Sequence, residues 1–329
     1  MERINYINAL RGLAAFCIVL IHTNIFIDDS QLLSQVWGHF LREWTAVFVL
    51  ISGFLFQYLL PKYDQKKYFK SKIKNVIIPY FIISIPAILI YTLGFKSNHI
   101  WVNIPELLEH SYLYIVTFFL VTGTHLGPLW FIPVLILIFL TSKPLSIIGR
   151  NKKILFLFAF LSIFVIGLTS RPPDSSSNPL IAYVHFLPVY ILGMFFCFNR
   201  HYLIKDKNKI FYFILFLSFF IAELYWNFNS SFSIYTKLFL FLYLCTVFME
   251  LPEKTIKPLN IMADISFAVY FLHGYFAAIL ILLIKERNFN FIIGLILNIG
   301  VGIIITALIF IIYYVMKKLK INTRILIGS

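Results

Sequence analysis

Residues 291–316 read FIIGLILNIGVGIIITALIFIIYYVM, a run of 26 residues without a charged side chain. A helix rises about 1.5 Å per residue, so this run is longer than the roughly 30 Å hydrocarbon core of a bilayer. Uncharged stretches of 18 or more apolar residues are typical of membrane spans rather than of buried helices in soluble proteins. The run therefore predicts a transmembrane helix.

The composition of the whole chain extends that prediction. Of the 329 residues, 60% are hydrophobic and 13% are charged, which excludes an ordinary water-soluble protein. A run at residues 110–123 is too short to cross a bilayer and predicts a short, re-entrant helix within an outer segment, 96–125. The expected fold is an all-α, polytopic transmembrane bundle of about ten spans, at residues 7–27, 44–61, 76–95, 126–146, 154–170, 181–198, 210–226, 233–250, 262–284 and 291–316.

The basic residues set the expected orientation. The chain has 28 Lys and Arg against 14 Asp and Glu, an excess of positive charge that could suggest nucleic acid as a partner. The basic residues, however, lie in short loops between apolar runs, which argues against such a partner. The positive-inside rule predicts that both termini are cytoplasmic, together with the loops at 62–75, 143–153, 199–209 and 251–259. The opposite side receives Arg42, Lys96, Arg171, Lys285 and Arg287, with a Pro-rich and Ser-rich turn predicted around Arg171.

Two ionisable residues share the first span. Arg11 and His22 are separated by about 1100° of helix, three turns plus about 20°, so both project from one face about 16.5 Å apart. Ionisable groups inside a membrane are costly and usually functional. The pair suits a passage with an anion-holding cation at its cytoplasmic mouth and an acid/base group further in. In the alternative, Arg11 reaches to the interface and His22 makes one interhelical hydrogen bond.

Polar residues recur in two further spans. In the ninth span Ser266 and His273 are seven residues apart and share a face, while Asp264 lies near the cytoplasmic start; structural and site-lining roles are both open. In the second span Ser52 precedes Gly53, whose missing side chain permits close approach of either a helix or a ligand. We favour helix packing for Gly53.

Other polar and aromatic residues lie near the predicted outer ends of the spans. Glu223 and Lys237 are at similar depth in consecutive spans and are expected to neutralise one another. Trp130 is typical of an interfacial aromatic belt, and Glu109 is a further carboxylate on this side. Cys17, Cys197 and Cys245 lie in apolar segments, which argues against a disulfide framework or a thiolate metal site.

The densest positive patch contains six lysines between Lys62 and Lys74, with one acid, Asp64. Membrane lipids with anionic headgroups would be attracted to such a patch. A cytosolic substrate with phosphate groups would be attracted by the same field. The sequence does not separate the two.

Four stretches carry a resemblance to a known family. LRGLAA at 10–15 running on to His22 resembles the Arg-x10-His signature of the integral-membrane acyltransferase-3 family. FVLISGFL at 48–55 is similar to its second-span Ser-Gly-Phe motif, and LWFIP at 129–133 to its Leu-Trp-Phe motif. ISFAVYFLH at 265–273 is similar to its late Ser…Tyr-Leu-x-His motif. Each motif is weak alone, but the four occur in order and extend over almost the full length.

The resemblance implies an enzyme of the bacterial cell membrane that moves an acyl group, most often acetyl. The donor would be cytosolic acyl-CoA, with acetyl-CoA expected, and the acceptor a hydroxyl of a cell-surface or lipid-linked carbohydrate; no metal is implied. It also implies that Arg11 and His22 are the catalytic residues. The implied contacts to coenzyme A are Arg11, Lys72, Lys74, Ser52, Gly53 and Trp130. Implied supporting residues are Ser266, Tyr270, His273, Asp264, Glu109 and Glu223, of which the three carboxylates are candidates to orient His22.

The chain departs from the family pattern in two places. Members often carry Arg-x-x-Arg before the third-span proline, where this sequence has Lys72 and Asn75 ahead of Pro79. We expect Lys74 and the neighbouring lysines to supply the missing charge. Some relatives carry a fused extracytoplasmic esterase-like domain, whereas residues 1–329 are expected to form one membrane-embedded domain without it.

Two other classes fit parts of the pattern. A transporter or flippase for an anionic or lipid-linked solute also uses buried ions, but it predicts paired broken helices in matching halves, which the sequence does not show. A polysaccharide polymerase or ligase should carry a large outer loop, and the longest outer segment, 96–125, is modest. A regulatory relative without catalysis also remains open.

Overall fold

The computed structural model describes residues 4–25, 27, 32–169, 178–226, 230–283 and 289–329. The turn predicted around Arg171 lies outside these residues, as do Lys285 and Arg287. Across the described residues the chain is almost entirely helical, and β-type pairing there is limited to an isolated bridge between Ile27 and Phe289. The all-α prediction is confirmed.

The described chain forms α-helices of very different lengths, several of them joined by short turns. In chain order they are α1 (Asn5–His22), α2 (Leu32–Leu41), α3 (Trp44–Leu59), α4 (Gln65–Lys72), α5 (Ile78–Thr92), α6 (Ile104–Leu108), α7 (Tyr112–Thr122), α8 (Phe131–Leu140), α9 (Ser142–Arg150), α10 (Lys152–Leu168), α11 (Pro179–Phe198), α12 (Arg200–Leu203), α13 (Lys209–Trp226), α14 (Ser230–Glu250), α15 (Glu253–Asp264), α16 (Ser266–Leu283), α17 (Phe291–Lys318) and α18 (Thr323–Leu326). A π-helical turn, Ile73–Ile77, joins α4 to α5, and a 3₁₀ turn, Gly127–Trp130, leads into α8.

Seven helical stretches in the described residues are long and apolar enough to cross a membrane. Three further candidates are bent pairs: α7 with Gly127–Leu140 at 78°, α9 with α10 at 116°, and α15 with α16 at 67°. Counting each bent pair as one span gives ten, the number predicted from the sequence. The chain is thus a multi-pass membrane protein.

Gly123 lies at the 78° bend between α7 and the segment that follows it. It ends α7 with φ +69°, a left-handed conformation that suits glycine at a helix C-terminus. A Cβ there would lie 2.5 Å from the carbonyl oxygen of Leu129, so a side chain does not fit. The short helix predicted at 110–123 is therefore turned back on the Leu-Trp-Phe segment rather than continued.

Helix α1 runs through the middle of the bundle. It packs against α3, α14, α15, α16 and α17, and most of its residues are buried. Glycine permits the closest approach: a Cβ on Gly12 would lie 2.0 Å from the carbonyl oxygen of Leu259 in α15. A charged or polar side chain on α1 consequently faces other helices instead of lipid.

Both ends of the described chain lie at the same end of the bundle. The amide of Ala268, near the start of α16, donates a hydrogen bond to Ser329 Oγ at 2.9 Å. Helix α18 packs against α5 and the π-turn that follows α4. Arg11 and the first turn of α1 are at this end, which we call the Arg11 end; the opposite end is the His22 end.

Candidate active site

One face of α1 meets three successive cavities. Arg11 lines a cavity of about 420 Å³, Ile18 a small one of about 30 Å³, and His22 a third of about 630 Å³. The three residues are seven and four positions apart, so they share a helix face. We call these spaces the Arg11 cavity, the central cavity and the His22 cavity.

The Arg11 cavity combines positive charge with apolar walls. Its described lining carries four cations, Arg11, Lys62, Lys67 and Lys72, and one acid, Asp64. Asp64 is already engaged as the N-cap of α4, where its carboxylate accepts the backbone N–H of Lys67 at 2.8 Å. Most of its other lining residues are apolar or aromatic: Phe48, Ile51, Leu55, Phe56, Leu59, Tyr63, Tyr68, Phe139, Tyr190 and Phe267. The cavity suits an anionic head attached to an apolar arm.

A break between two helices holds Arg11 in place. The guanidinium Nη2 donates to the carbonyl oxygen of Ala263 at 3.0 Å, and the hydroxyl of Ser266 donates to the same oxygen at 2.8 Å. Ala263 is in the last turn of α15, where backbone carbonyls lose their intrahelical partners. Asp264 follows it and is exposed at this level. Ser266 and Asp264 therefore belong to the surroundings of Arg11.

Lys72 and Lys74 have different environments. Lys72 lines the Arg11 cavity, with Nζ 4.6 Å from the Phe139 ring centroid and 5.2 Å from that of Tyr68. Lys74 is exposed on the π-turn and is not part of that lining. Residues two apart on a helix point about 200° away from each other, so both cannot face one cavity. Of the lysines expected to supply the missing arginine charge, Lys74 is outside this lining, whereas its neighbours Lys62 and Lys67 are part of it.

Two other residues assigned to coenzyme A contact lie elsewhere. A Cβ on Gly53 would be 2.0 Å from the carbonyl oxygen of Tyr190, so Gly53 is used for contact between α3 and α11. The Trp130 ring packs against Phe131 and Phe186, and Trp130 is not in the described lining of the three cavities. Ser52 does fit the assignment by position, because it lines both the Arg11 cavity and the central cavity.

A hydrogen bond closes the space between the central and His22 cavities. Tyr270 lines the central cavity, and its hydroxyl donates to the carbonyl oxygen of Pro128, a residue that lines the His22 cavity. Phe48, Ser52 and Phe267 are shared between the Arg11 and central cavities. The three spaces thus form a series with its barrier at Tyr270.

The His22 cavity combines polar and aromatic side chains with small and apolar residues. Its described lining is His22, Tyr91, Lys96, Asn98, His99, Ile100, Trp101, Thr124, His125, Leu126, Gly127, Pro128, Gly274, Ala277 and Ala278. His99 Nε2 donates to the carbonyl oxygen of Thr124 at 2.8 Å, and the Trp101 amide donates to Nδ1 at 3.0 Å. Because Nδ1 accepts a hydrogen bond, the His99 ring is neutral in this arrangement, and burial lowers the pKa of His99 in the same direction. Lys96 adds a basic side chain at this end.

Asn298 holds the end of α1 that carries His22. Its Nδ2 donates to the carbonyl oxygen of Leu20 at 3.0 Å and to Thr23 Oγ1 at 3.1 Å, while Oδ1 accepts the indole N–H of Trp37 at 3.1 Å. Asn298 is fully buried. Asn298 was not among the residues predicted from the sequence, although an amide within the uncharged run 291–316 is itself a signal of an interhelical contact.

His22 also meets a second histidine. The ring centroids of His22 and His273 are 5.2 Å apart, and His273, on α16, is fully buried. The sequence placed both residues in membrane spans but did not predict that they touch. This contact joins the first and last of the four motifs.

The three carboxylates considered as partners of His22 occupy other places. Glu223 is buried and accepts hydrogen bonds from Ser233 at 2.6 Å and Thr236 at 2.9 Å, and its Oε1 is 2.8 Å from His39 Nδ1. Asp264 lies at the level of Arg11, about 16 Å along α1 from His22. Glu109 is exposed just after α6 and is outside the described lining of the His22 cavity.

Glu223 does not pair directly with Lys237 in the described structure. Lys237 is fully buried, and its Nζ donates to the carbonyl oxygen of Phe40 at 2.7 Å. The ammonium also lies over the rings of Phe40 and Trp44, 5.3 and 5.5 Å from their centroids. The two groups therefore have separate hydrogen-bond partners, and Glu223 acts on Lys237 through its nearby charge instead of through a direct ion pair. Both serve the packing of α2, α13 and α14.

The family comparison agrees with this architecture. Residues 4–316 match the family model of the acyltransferase domain, acyltransferase-3 type. The chain belongs to the acyltransferase-3 family. The match extends over almost the whole chain, so the resemblance seen in the four motifs is confirmed and this family member is a multi-pass membrane acyltransferase. Comparisons with curated proteins and with solved structures gave no match.

Metal ligands are not grouped in the described part of this family member. No set of three or more His, Cys, Asp or Glu side chains there is arranged to hold a metal ion. Cys17, Cys197 and Cys245 are buried free thiols.

Replacing Asn298 tests how the His22 end is held. Asn298→Leu should lower the melting temperature in detergent, because the Trp37 indole N–H loses its acceptor and an unsatisfied buried group costs about 1–3 kcal/mol. The Leu20 carbonyl and the Thr23 hydroxyl lose one hydrogen bond each but keep partners within the last turn of α1. Thr306→Val is the control on the same helix, since the Thr306 hydroxyl bonds only the local carbonyl of Gly302 among described residues. Equal melting temperatures for the two variants would contradict this role of Asn298.

Proposed function

We propose that this protein is an O-acyltransferase that moves an acyl group, most often acetyl, from cytosolic acyl-CoA to a hydroxyl of a cell-surface or lipid-linked carbohydrate. One observation carries the proposal: a single face of α1 presents Arg11 to a basic cavity at one end and His22 to a cavity with several polar and aromatic side chains at the other. A donor and an acceptor can then approach from opposite sides of the membrane.

The Arg11 cavity is assigned to the donor. Coenzyme A has phosphate groups and a long, weakly polar arm, which match the lysines at the mouth and the aromatic walls behind them. The arm would extend past Ser52 toward the central cavity. The density of lysines at this end supports a cytoplasmic orientation for it and for both termini. The bacterial cell membrane is the corresponding location.

The His22 cavity is assigned to the acceptor. Its aromatic, amide, hydroxyl and imidazole side chains offer the flat faces and hydrogen-bonding groups that a carbohydrate requires. In the reaction the acceptor oxygen forms a bond to the acyl carbon and the carbon–sulfur bond of the thioester breaks. His22 takes the hydroxyl proton and returns it to the sulfur of coenzyme A. Parting of Tyr270 from Pro128 would let the thioester reach the acceptor.

Comparison of surface carbohydrates tests the proposal. The gene is deleted in the host strain and restored either as wild type or as His22→Ala, and the glycans are analysed by mass spectrometry. The deletion and the His22→Ala strain should lack an acyl group that the wild-type complement restores. Two results together would contradict the proposed function. The glycans of all strains would carry the same acylation, and the purified protein would fail to release free coenzyme A from acetyl-CoA.

The contrast between Lys72 and Lys74 tests the donor cavity. Lys72→Gln should raise the KM for acetyl-CoA about tenfold or more, because a charge-assisted contact is worth about 1.5–3 kcal/mol. Lys74→Gln makes the same change in charge two residues away, outside the cavity, and should alter KM by less than about twofold after salt screening. Equal effects of the two substitutions would show that the patch acts only through its long-range field.

A further inference from the structure

His273 stands between the barrier and the proposed catalytic histidine. It is fully buried on α16, with its ring centroid 5.2 Å from that of His22 and 6.1 Å from that of Tyr270. The next residue, Gly274, lines the His22 cavity, and Tyr270 lines the central cavity. His273 is thus next to His22 and lies on α16 between residues that line the two cavities.

The hydrogen bonding of His273 defines its tautomer. Nδ1 is 2.7 Å from the carbonyl oxygen of Val269, one helical turn earlier. A carbonyl oxygen can only accept, so Nδ1 carries the proton and Nε2 of the neutral ring carries a lone pair. Nε2 is buried and has no hydrogen-bond partner among the residues that the structure describes. Buried polar atoms are rarely left in this state, and such an exception often marks a functional group.

A general base usually needs a third group that holds its ring in one tautomer. Among the described residues, the three carboxylates considered as partners of His22 do not supply this group: Glu223 is bound to Ser233 and Thr236, Asp264 is at the Arg11 end, and Glu109 is outside the cavity lining. A neutral imidazole is a suitable substitute inside a membrane, because a buried carboxylate carries a larger desolvation cost.

We propose that His273 is the positioning residue for His22, with His273 Nε2 accepting a hydrogen bond from a ring N–H of His22. This inference rests on the proposed function. With this bond formed, the other ring nitrogen of His22 would receive the acceptor proton, and the bond would stabilise the imidazolium that results. Ring contact in the absence of substrates is compatible with a bond that tightens only when they bind.

Two substitutions separate this role from packing. Asparagine can keep the donor that reaches Val269 but has no group at the Nε2 position, whereas glutamine can place an oxygen acceptor there. His273→Asn should lower kcat about 10–100-fold while KM for acetyl-CoA changes less than about twofold, as for loss of a group behind a catalytic residue. His273→Gln should recover at least about half of the wild-type kcat. If His273 only packs against its neighbours, His273→Asn should instead keep a kcat close to that of wild type.

Wild type and His22→Ala are measured in the same assay with acetyl-CoA and extracted surface glycan. If wild type transfers no acyl group, or His22→Ala is as active as wild type, the proposed function fails. If both behave as expected but His273→Asn keeps wild-type kcat, or His273→Gln falls as far as His273→Asn, the inference about His273 alone is overturned. Nitrogen NMR of ¹⁵N-histidine protein gives a second readout without substrates: His273→Asn should change the tautomer signal of His22, and an unchanged signal would overturn the inference.

Discussion

His22→Ala is expected to abolish acyl transfer while the protein still inserts and folds. The imidazole is the group that takes the acceptor proton in the proposed reaction, and general acid–base catalysis contributes about 10²–10⁴-fold to rate. Loss of the ring should therefore reduce transfer by about 10³-fold. His22→Gln keeps much of the side-chain volume without a titrating nitrogen and should fall by a similar amount. The measurement is acyl transfer from labelled acetyl-CoA to extracted surface glycan.

His110→Ala is the matched control for His22. His110 is exposed, follows α6 near the same end of the bundle and is not in the described lining of the His22 cavity. Its loss should leave transfer within about twofold of wild type, as for most surface substitutions. Wild-type transfer by His22→Ala would reject the role of His22. Loss of folded protein in His22→Ala but not in His22→Gln would point to packing at that position, so the glutamine variant decides the chemistry.

Gly53→Ala is expected to prevent stable folding. A Cβ at Gly53 would lie 2.0 Å from the carbonyl oxygen of Tyr190, and a Cβ at Gly193 would lie 2.2 Å from that of Leu50. The two glycines thus let the backbones of α3 and α11 touch from both sides. A methyl group at Gly53 must push the backbones of α3 and α11 apart. This should lower the free energy of unfolding by about 3 kcal/mol or more, the upper end of the range for overpacked sites. Size-exclusion profiles and melting temperatures in detergent measure the effect.

Gly300→Ala is the control for Gly53. Gly300 lies within α17, and a Cβ there would meet nothing within 4 Å. Alanine has the higher helix propensity, so this change should be neutral or slightly stabilising. If Gly53→Ala instead folds like wild type and shows weaker affinity for acetyl-CoA, Gly53 contacts the donor and the packing interpretation is wrong.

The site was partly predictable from residue spacing. Arg11 and His22 lie on one continuous helix, so their common face follows from helix geometry, and the structure gives them successive cavities. The same geometry also separates Lys72 from Lys74, because residues two positions apart on a helix point in nearly opposite directions. Conversely, nothing in the local pattern around Gly53 distinguishes a ligand from a neighbouring helix. That distinction requires the position of Tyr190, which belongs to another span.

Hydropathy and the rise of a helix determine membrane residence, the all-α class and the number of candidate spans, because each depends on neighbouring residues in one segment. Contacts between segments were decided only by tertiary structure. Asn298 bonds Leu20 across 278 residues of sequence, and His273 meets His22 although the two belong to different helices. Such partners depend on how deeply and at what angle helices pack. In this bundle glycines at the helix contacts set that approach, so the proposed catalytic pair exists only in the assembled fold.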